Sequence, residues 1–159
     1  MNQAVKEFWE GRAKRLVENN GDLGMWQSTS LTATETDASQ RRDLEIGALE
    51  EALKVIPNTQ GLNLLDIGCG TGRLTIPLSK RFKKVYATDF MQRFLDLAKQ
   101  NAIEEGRSNI TFLSSQSHEV GPDWKYHCCT ICGVLLCLDD SSYQKTLHTA
   151  QRADYVIVK

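Results

Sequence analysis

Residues 64–72 read Leu-Leu-Asp-Ile-Gly-Cys-Gly-Thr-Gly, with three glycines at alternate positions behind an apolar run. The run over 62–67 is apolar apart from Asn63 and Asp66, and predicts a strand. Arg73, Leu74, Ile76 and Leu78 follow with helical spacing. Strand, glycine turn and helix together bring bare backbone against a ligand in an α/β protein. Gly68, Gly70 and Gly72 carry no Cβ, which permits a tight turn and close approach. The free N–H groups opening the next helix favour a negative group such as a carboxylate.

The spacing also excludes two common sites. A dinucleotide fingerprint, Gly-x-Gly-x-x-Gly, would put its third glycine at position 73, which is an arginine. A phosphate loop would end in Gly-Lys-Ser/Thr, and that ending is missing. Asp66, two residues before the first glycine, suits a cationic ligand amine better than a diphosphate. Downstream, Val85-Tyr86-Ala87-Thr88 is strand-like and ends in a second acid, Asp89.

This combination resembles the first motif of the class I S-adenosylmethionine-dependent methyltransferases, and the resemblance covers roughly residues 62–159. It implies a Rossmann-like three-layer αβα sandwich, with a mainly parallel sheet in the order 3-2-1-4-5. It implies S-adenosyl-L-methionine as cofactor, with Asp66, Gly68, Cys69, Gly70 and Gly72 around the methionine end and Asp89 on the ribose hydroxyls. Phe90 and Met91 fall near the adenine, and Cys132 near the sulfonium. The family often places an acid where Gln116 stands here; a glutamine accepts through its carbonyl and donates through its amide, and Ser117 adds a backbone N–H. An aromatic and an acid usually open the fourth strand; Tyr126 matches the first and His127 replaces the second.

The implied reaction is methyl transfer to a small-molecule or protein nucleophile. His118, His127 and His148 are the candidates for a general base, and no spacing selects one, so the catalytic residue stays unassigned. Two other readings stand beside it. One is a non-catalytic or truncated subunit that keeps the fold and binds the cofactor or a partner chain. The other is a tRNA or protein N-terminal methyltransferase; Gly72-Arg73-Leu74-Thr75 and Phe94-Leu95-Asp96-Leu97-Ala98-Lys99 faintly resemble the protein N-terminal enzymes. A net charge of −1, with acids and bases interleaved, argues against a nucleic-acid partner.

At 159 residues the chain reads as one methyltransferase-like domain, 1–159, with a helical cap over 1–60 and a cofactor-binding core over 61–159. The expected cap has helices over 2–18 and 39–56. The first carries Val5, Phe8, Trp9, Leu16 and Val17 on one face and stops at Asn19-Asn20-Gly21; the second carries Leu44, Ala48, Leu49, Ala52, Leu53 and Ile56. The first helix serves either as plain packing or as a lid over the cofactor, with Trp9, Arg12 and Trp26 as the residues to face it. Trp26 sits in a glycine-flanked loop, Gly24-Met25-Trp26. Pro77 predicts a kink, or a helix start close enough to tolerate it. Further elements are a helix over 92–105 with Phe94, Leu95, Leu97, Ala98 and Ile103 inward, strands over 110–113, 126–132 and 155–159, and a last helix capped by Ser141.

Four of the five cysteines crowd into residues 128–137. A Cys129-x-x-Cys132 zinc site needs a second ligand pair with suitable spacing, and none exists, so no metal is expected; the thiols read as buried, reduced side chains on a strand. Reduced thiols, charges throughout residues 1–18 and no long apolar run point to a cytoplasmic protein away from membranes. The family's sheet closes with an antiparallel hairpin, and nothing after residue 159 encodes one. A bare fifth strand predicts a shortened chain that forms homo- or hetero-oligomers through that edge.

Overall fold

The computed structural model describes residues 3–18, 35–121 and 123–159. Five strands form one sheet: β1 (Asn63–Ile67), β2 (Lys84–Asp89), β3 (Ile110–Ser114), β4 (Cys128–Ile131) and β5 (Tyr155–Val158). Their order is β3-β2-β1-β4-β5, and every neighbouring pair is parallel. The order reverses beside β1, which pairs with β2 on one side and β4 on the other. The helices are α1 (Gln3–Glu18), α2 (Glu35–Leu53), α3 (Thr75–Leu78), α4 (Gln92–Glu104) and α5 (Asp140–Ala150). No helix among the described residues is long and apolar enough to cross a membrane.

β1 is apolar on both faces because helices cover both. Leu64 packs with Leu49 and Leu53 of α2, Leu78 of α3 and Val85 of β2. Leu65 and Ile67, on the opposite face, pack with Tyr126, Cys129, Ile131 and Ala150 of α5. Period-two alternation thus builds two cores from one strand. At the outer edge, β5 leaves Val156 and Val158 exposed.

Several elements depart from the sequence reading. β4 is shorter than expected and begins at Cys128, although the His127 N–H already donates to Asn63 O at 2.9 Å and the His127 carbonyl accepts from Tyr155 N at 3.0 Å. The Tyr126 hydroxyl donates to the Thr149 carbonyl at 2.8 Å, and His127 Nδ1 accepts the Asn63 N–H at 3.1 Å. Pro77 does not kink a long helix, since α3 is one short turn. Ile76 N bonds Gly72 O and Leu78 N bonds Leu74 O, so the proline omits only the bond between them. The cap of α5 is Asp139, not Ser141; its carboxylate accepts the Ser142 N–H at 2.8 Å. In α4, Ala102 takes the inward place expected for Ile103, which is exposed. In α2, Leu44 and Ala48 face outward, and the buried stripe runs Glu45, Leu49, Leu53 and on to Ile56. A glutamate inside the stripe rotates the helix away from its apolar pattern, and the cations that meet it, Arg41, Arg73 and Lys159, make that possible. The loop carrying Trp26 and the expected stop of the first helix lie outside the described residues.

Candidate functional site

The chain leaving β1 turns sharply at Gly68, whose φ of 76° is open to glycine and costly for side-chain-bearing residues. Gly68 N and Cys69 N both donate to Thr88 O, at 2.7 and 2.9 Å, tying the turn to the end of β2. Gly70, at φ 54°, donates its N–H to Asp89 Oδ2 at 2.9 Å. Gly72 N returns to Cys69 O at 3.0 Å. The glycine turn therefore spends these amides on itself and on β2, and the helix after it is only four residues long. The expected N–H cradle for a negative group is correspondingly small.

A cleft with an empty volume of about 1020 Å³, its open mouth included, lies over the carboxyl ends of the strands. It sits at the reversal of strand order, where α/β sheets bind ligands. Asp66, Gly68, Cys69, Gly70, Asp89, Phe90, Gln116, Ser117 and Cys132 all line it. Gly72 and Met91 do not. A Cβ on Gly72 would stand 2.9 Å from Ile76 Cδ1 and 3.4 Å from Ala98 Cβ, so this glycine lets the turn pack onto α4. Met91 is buried with Ala13 and Phe94 beneath α1.

Two carboxylates dominate the floor. Asp66 Oδ2 accepts from the Thr75 hydroxyl at 2.5 Å and Oδ1 from the Thr130 hydroxyl at 2.7 Å. Burial pushes its pKa up, and the two hydroxyls pull against that. Asp89 Oδ1 accepts the Met91 N–H and Oδ2 the Gly70 N–H, both at 2.9 Å. Asp89 thus anchors the turn before α4 without being its N-cap, which is Met91. Burial raises Asp89 to about 6, with the Met91 and Gly70 amides opposing and the nearby Asp66 charge adding to the rise. Each carboxylate oxygen keeps a lone pair for a further donor.

Arg73, which the spacing suggested only as part of a helix pattern, also lines the cleft and is buried. It forms an ion pair with Glu45 of α2. An Arg directly after the last glycine is the one sequence signal that could have marked it. Trp9 of α1 reaches the cleft wall and packs edge-on against Phe94, with ring centroids 6.1 Å apart. Arg12 is buried, its guanidinium 5.7 Å from the rings of both Phe8 and Trp9. Of the two candidates for a lid within the described residues, Trp9 lines the cleft and Arg12 does not. Cys132 and Cys137 line its far wall, while Cys128 and Cys129 are buried in β4. Burial pushes the Cys132 thiol up to about 12, so it stays protonated. His118, His127 and His148 do not line the cleft.

Fold and cleft together define a doubly wound α/β domain with a ligand crevice at the strand reversal. Residues 64–153 match the sequence profile of the methyltransferase domain, and the chain belongs to that family. Over 90 residues it is 34% identical to a tRNA/tmRNA (uracil-C(5))-methyltransferase of Nautilia profundicola, a match covering 57% of this chain and 24% of that protein. Over 111 residues it is 29% identical to phosphoethanolamine N-methyltransferase 1 of Zea mays, covering 70% of this chain and 19% of that one. The chain spans about a quarter or less of these relatives' lengths. Among solved structures, magnesium protoporphyrin IX methyltransferase from Synechocystis PCC 6803, with S-adenosylmethionine bound, superposes with a TM-score of 0.70. That match has 23% identity and covers 89% of this chain and 69% of that one; at this identity it is a likeness of fold.

Proposed function

We propose that this chain is an S-adenosylmethionine-dependent methyltransferase, and that its cleft receives the cofactor. The carrying observation is the placement of two buried carboxylates and one buried arginine around a single cleft at the strand reversal. The residues fit the group. A Cβ on Gly70 would meet nothing within 4 Å, so the turn leaves open space at its crest. Asp66 offers a negative charge to an ammonium, Arg73 a positive charge to a carboxylate, and Asp89 two acceptor oxygens to vicinal hydroxyls. Gly68, Cys69 and Gly70 supply backbone around the amino-acid arm. Phe90 offers an apolar surface to a flat ring, with Gln116 and Ser117 along its edge. Gly72 and Met91 support this set from behind.

When bound, the cofactor supplies a methyl group made electrophilic by its sulfonium. The protein's tasks are then alignment and exclusion of water. Trp9, Val134 and Leu138 form apolar wall that keeps water out, and the Cys132 thiol contributes an uncharged polar edge. For the acceptor we favour a small-molecule or protein nucleophile. The net charge of −1 supports that reading over a nucleic acid. The names of the matched relatives range from tRNA to phosphoethanolamine, and the matched residues make up the sheet and glycine turn that carry the cofactor-facing cleft.

Calorimetry with S-adenosylhomocysteine tests the cleft, and a donor-turnover assay with pooled small-molecule, peptide and RNA acceptors tests the activity. Binding with turnover on a small molecule or peptide is expected. No binding overturns the reading, binding without turnover on any pool turns it into a cofactor-binding subunit, and turnover on RNA alone overturns the acceptor class. Arg73→Met should weaken S-adenosylhomocysteine by about 10- to 100-fold, the range for losing a hydrogen bond between charged partners.

A further inference from the structure

A carboxylate buried on the inner face of a helix is costly unless cations meet it there. Glu45 of α2 is 6% exposed, and three cations meet it. Lys159 forms an ion pair with Oε1, Arg41 Nε lies 3.2 Å from the same oxygen, and Arg73 pairs with Oε2. Together they hold its pKa down against the upward push of burial. The partners are not equivalent. The side chains of Arg41 and Lys159 are 57% and 44% exposed, whereas that of Arg73 is 9% exposed. Arg41 and Lys159 thus reach Glu45 from the solvent side, and Arg73 is the partner buried with it, facing Oε2.

The pair also has a place in the fold. Arg73 follows the glycine turn and lines the cleft on the β1 side. Lys159 lies beside β4: its N–H donates to Ile131 O at 3.0 Å, and its carbonyl accepts from Gly133 N at 2.9 Å. Gly133 lines the cleft on the β4 side. Glu45 therefore grips both banks of the strand reversal from α2.

We propose that Glu45 is a positioning residue for Arg73. It fixes the guanidinium where the carboxylate of the cofactor's amino-acid arm is received, and so couples the docking of α2 to recognition of that arm alone. This rests on the reading of the cleft given under Proposed function. Two probes separate the arm from the nucleoside: S-adenosylhomocysteine carries the amino acid, and 5′-methylthioadenosine lacks it. Glu45→Gln keeps the side chain's shape and removes its charge. It should weaken S-adenosylhomocysteine about 5- to 20-fold and leave 5′-methylthioadenosine within about twofold, the loss expected from disordering one charge-assisted contact. In an Arg73→Met background the same change should add nothing further.

Equal weakening of both probes would make Glu45 a structural residue and overturn the proposal. Tighter binding of S-adenosylhomocysteine would also overturn it, since Glu45 would then be competing with the ligand for Arg73. Failure of the unsubstituted chain to bind either probe would count against the cleft itself. Should Glu45→Gln not fold, hydrogen exchange on the unsubstituted chain decides. S-adenosylhomocysteine should slow amide exchange in α2 and 5′-methylthioadenosine should not; equal effects overturn the proposal.

Discussion

Asp89→Ala is expected to weaken S-adenosylhomocysteine binding at least about 100-fold at pH 7.5, with a much smaller change in melting temperature. Two lone pairs remain on the Asp89 carboxylate after it accepts Gly70 N–H and Met91 N–H. Two neighbouring hydroxyls would use both, each as a hydrogen bond to a charged acceptor worth about 1.5–3 kcal/mol. Stability responds less because two effects oppose each other. Removing the carboxylate orphans two amides, at about 1–3 kcal/mol each. It also removes a buried charge whose pKa, raised from 3.8 to about 6, marks a penalty of about 3 kcal/mol when ionised. A folded pKa above the unfolded one means that the folded state holds this proton more tightly. Its contribution to stability is therefore present below about pH 4 and lost as pH rises through about 6. Cofactor affinity runs the other way, because hydroxyl donors need the ionised form. Binding at pH 5, where Asp89 is about one-tenth ionised, should be about tenfold weaker than at pH 7. Burial pushes Asp66 up as well, so Asp89→Asn, which cannot ionise, isolates the part of the slope that belongs to Asp89. A pH-independent affinity in the unsubstituted chain would show that Asp89 does not face the hydroxyls.

Local chemistry was readable in the chain; long-range pairing was not. The turn after β1 could be placed because three glycines and an aspartate lie within seven residues, and their spacing alone excludes the dinucleotide and phosphate alternatives. Sheet order followed from the family resemblance once strands alternated with helical stretches. Glu45 escaped because a charged residue inside a helical stripe reads as solvent-facing until its partners are known. Those partners, Arg73 and Lys159, are distant in sequence. Arg73 carried one local mark, its place directly after the last glycine, but its burial against Glu45 joins residues distant in sequence. The family resemblance sets Gly72 among the ligand-facing glycines, yet the space beside it is filled by Ile76 and Ala98. Met91 and Phe90 are adjacent and both apolar, and only the direction of the chain entering α4 sends one to the core and the other to the cleft.

The glycines of the turn should differ sharply when substituted, although three of them share a positive φ. Gly68→Ala is expected to be the most damaging. A Cβ at Gly68 would overlap the Val134 Cγ2 methyl, and the residue would be held at φ 76°. The backbone contributes about 1–2 kcal/mol of strain and the overlap about 1–3 kcal/mol. Together they should lower the melting temperature by about 5–15 °C for a domain of this size. Gly70→Ala meets the same backbone objection at φ 54°, but its Cβ has nothing within 4 Å. It should cost about 1–2 kcal/mol of stability, while its methyl enters the space where the ligand is proposed to lie and weakens binding. Adding Val134→Ala to Gly68→Ala removes the overlap and leaves the strain, so the double variant should recover only part of the loss, beyond the sum of the single effects. Thermal melts of the two glycine variants, Val134→Ala and the double variant, with titrations of S-adenosylhomocysteine alongside, separate the two causes. Identical melts for Gly68→Ala and Gly70→Ala, or no recovery in the double variant, would show that contact between the turn and the segment after β4 does not hold the cleft closed at that wall. The expected pattern instead makes Gly68 the point where the β1 turn and the chain leaving β4 are seated on each other, so that the shape of the cleft depends on the absence of a single methyl group.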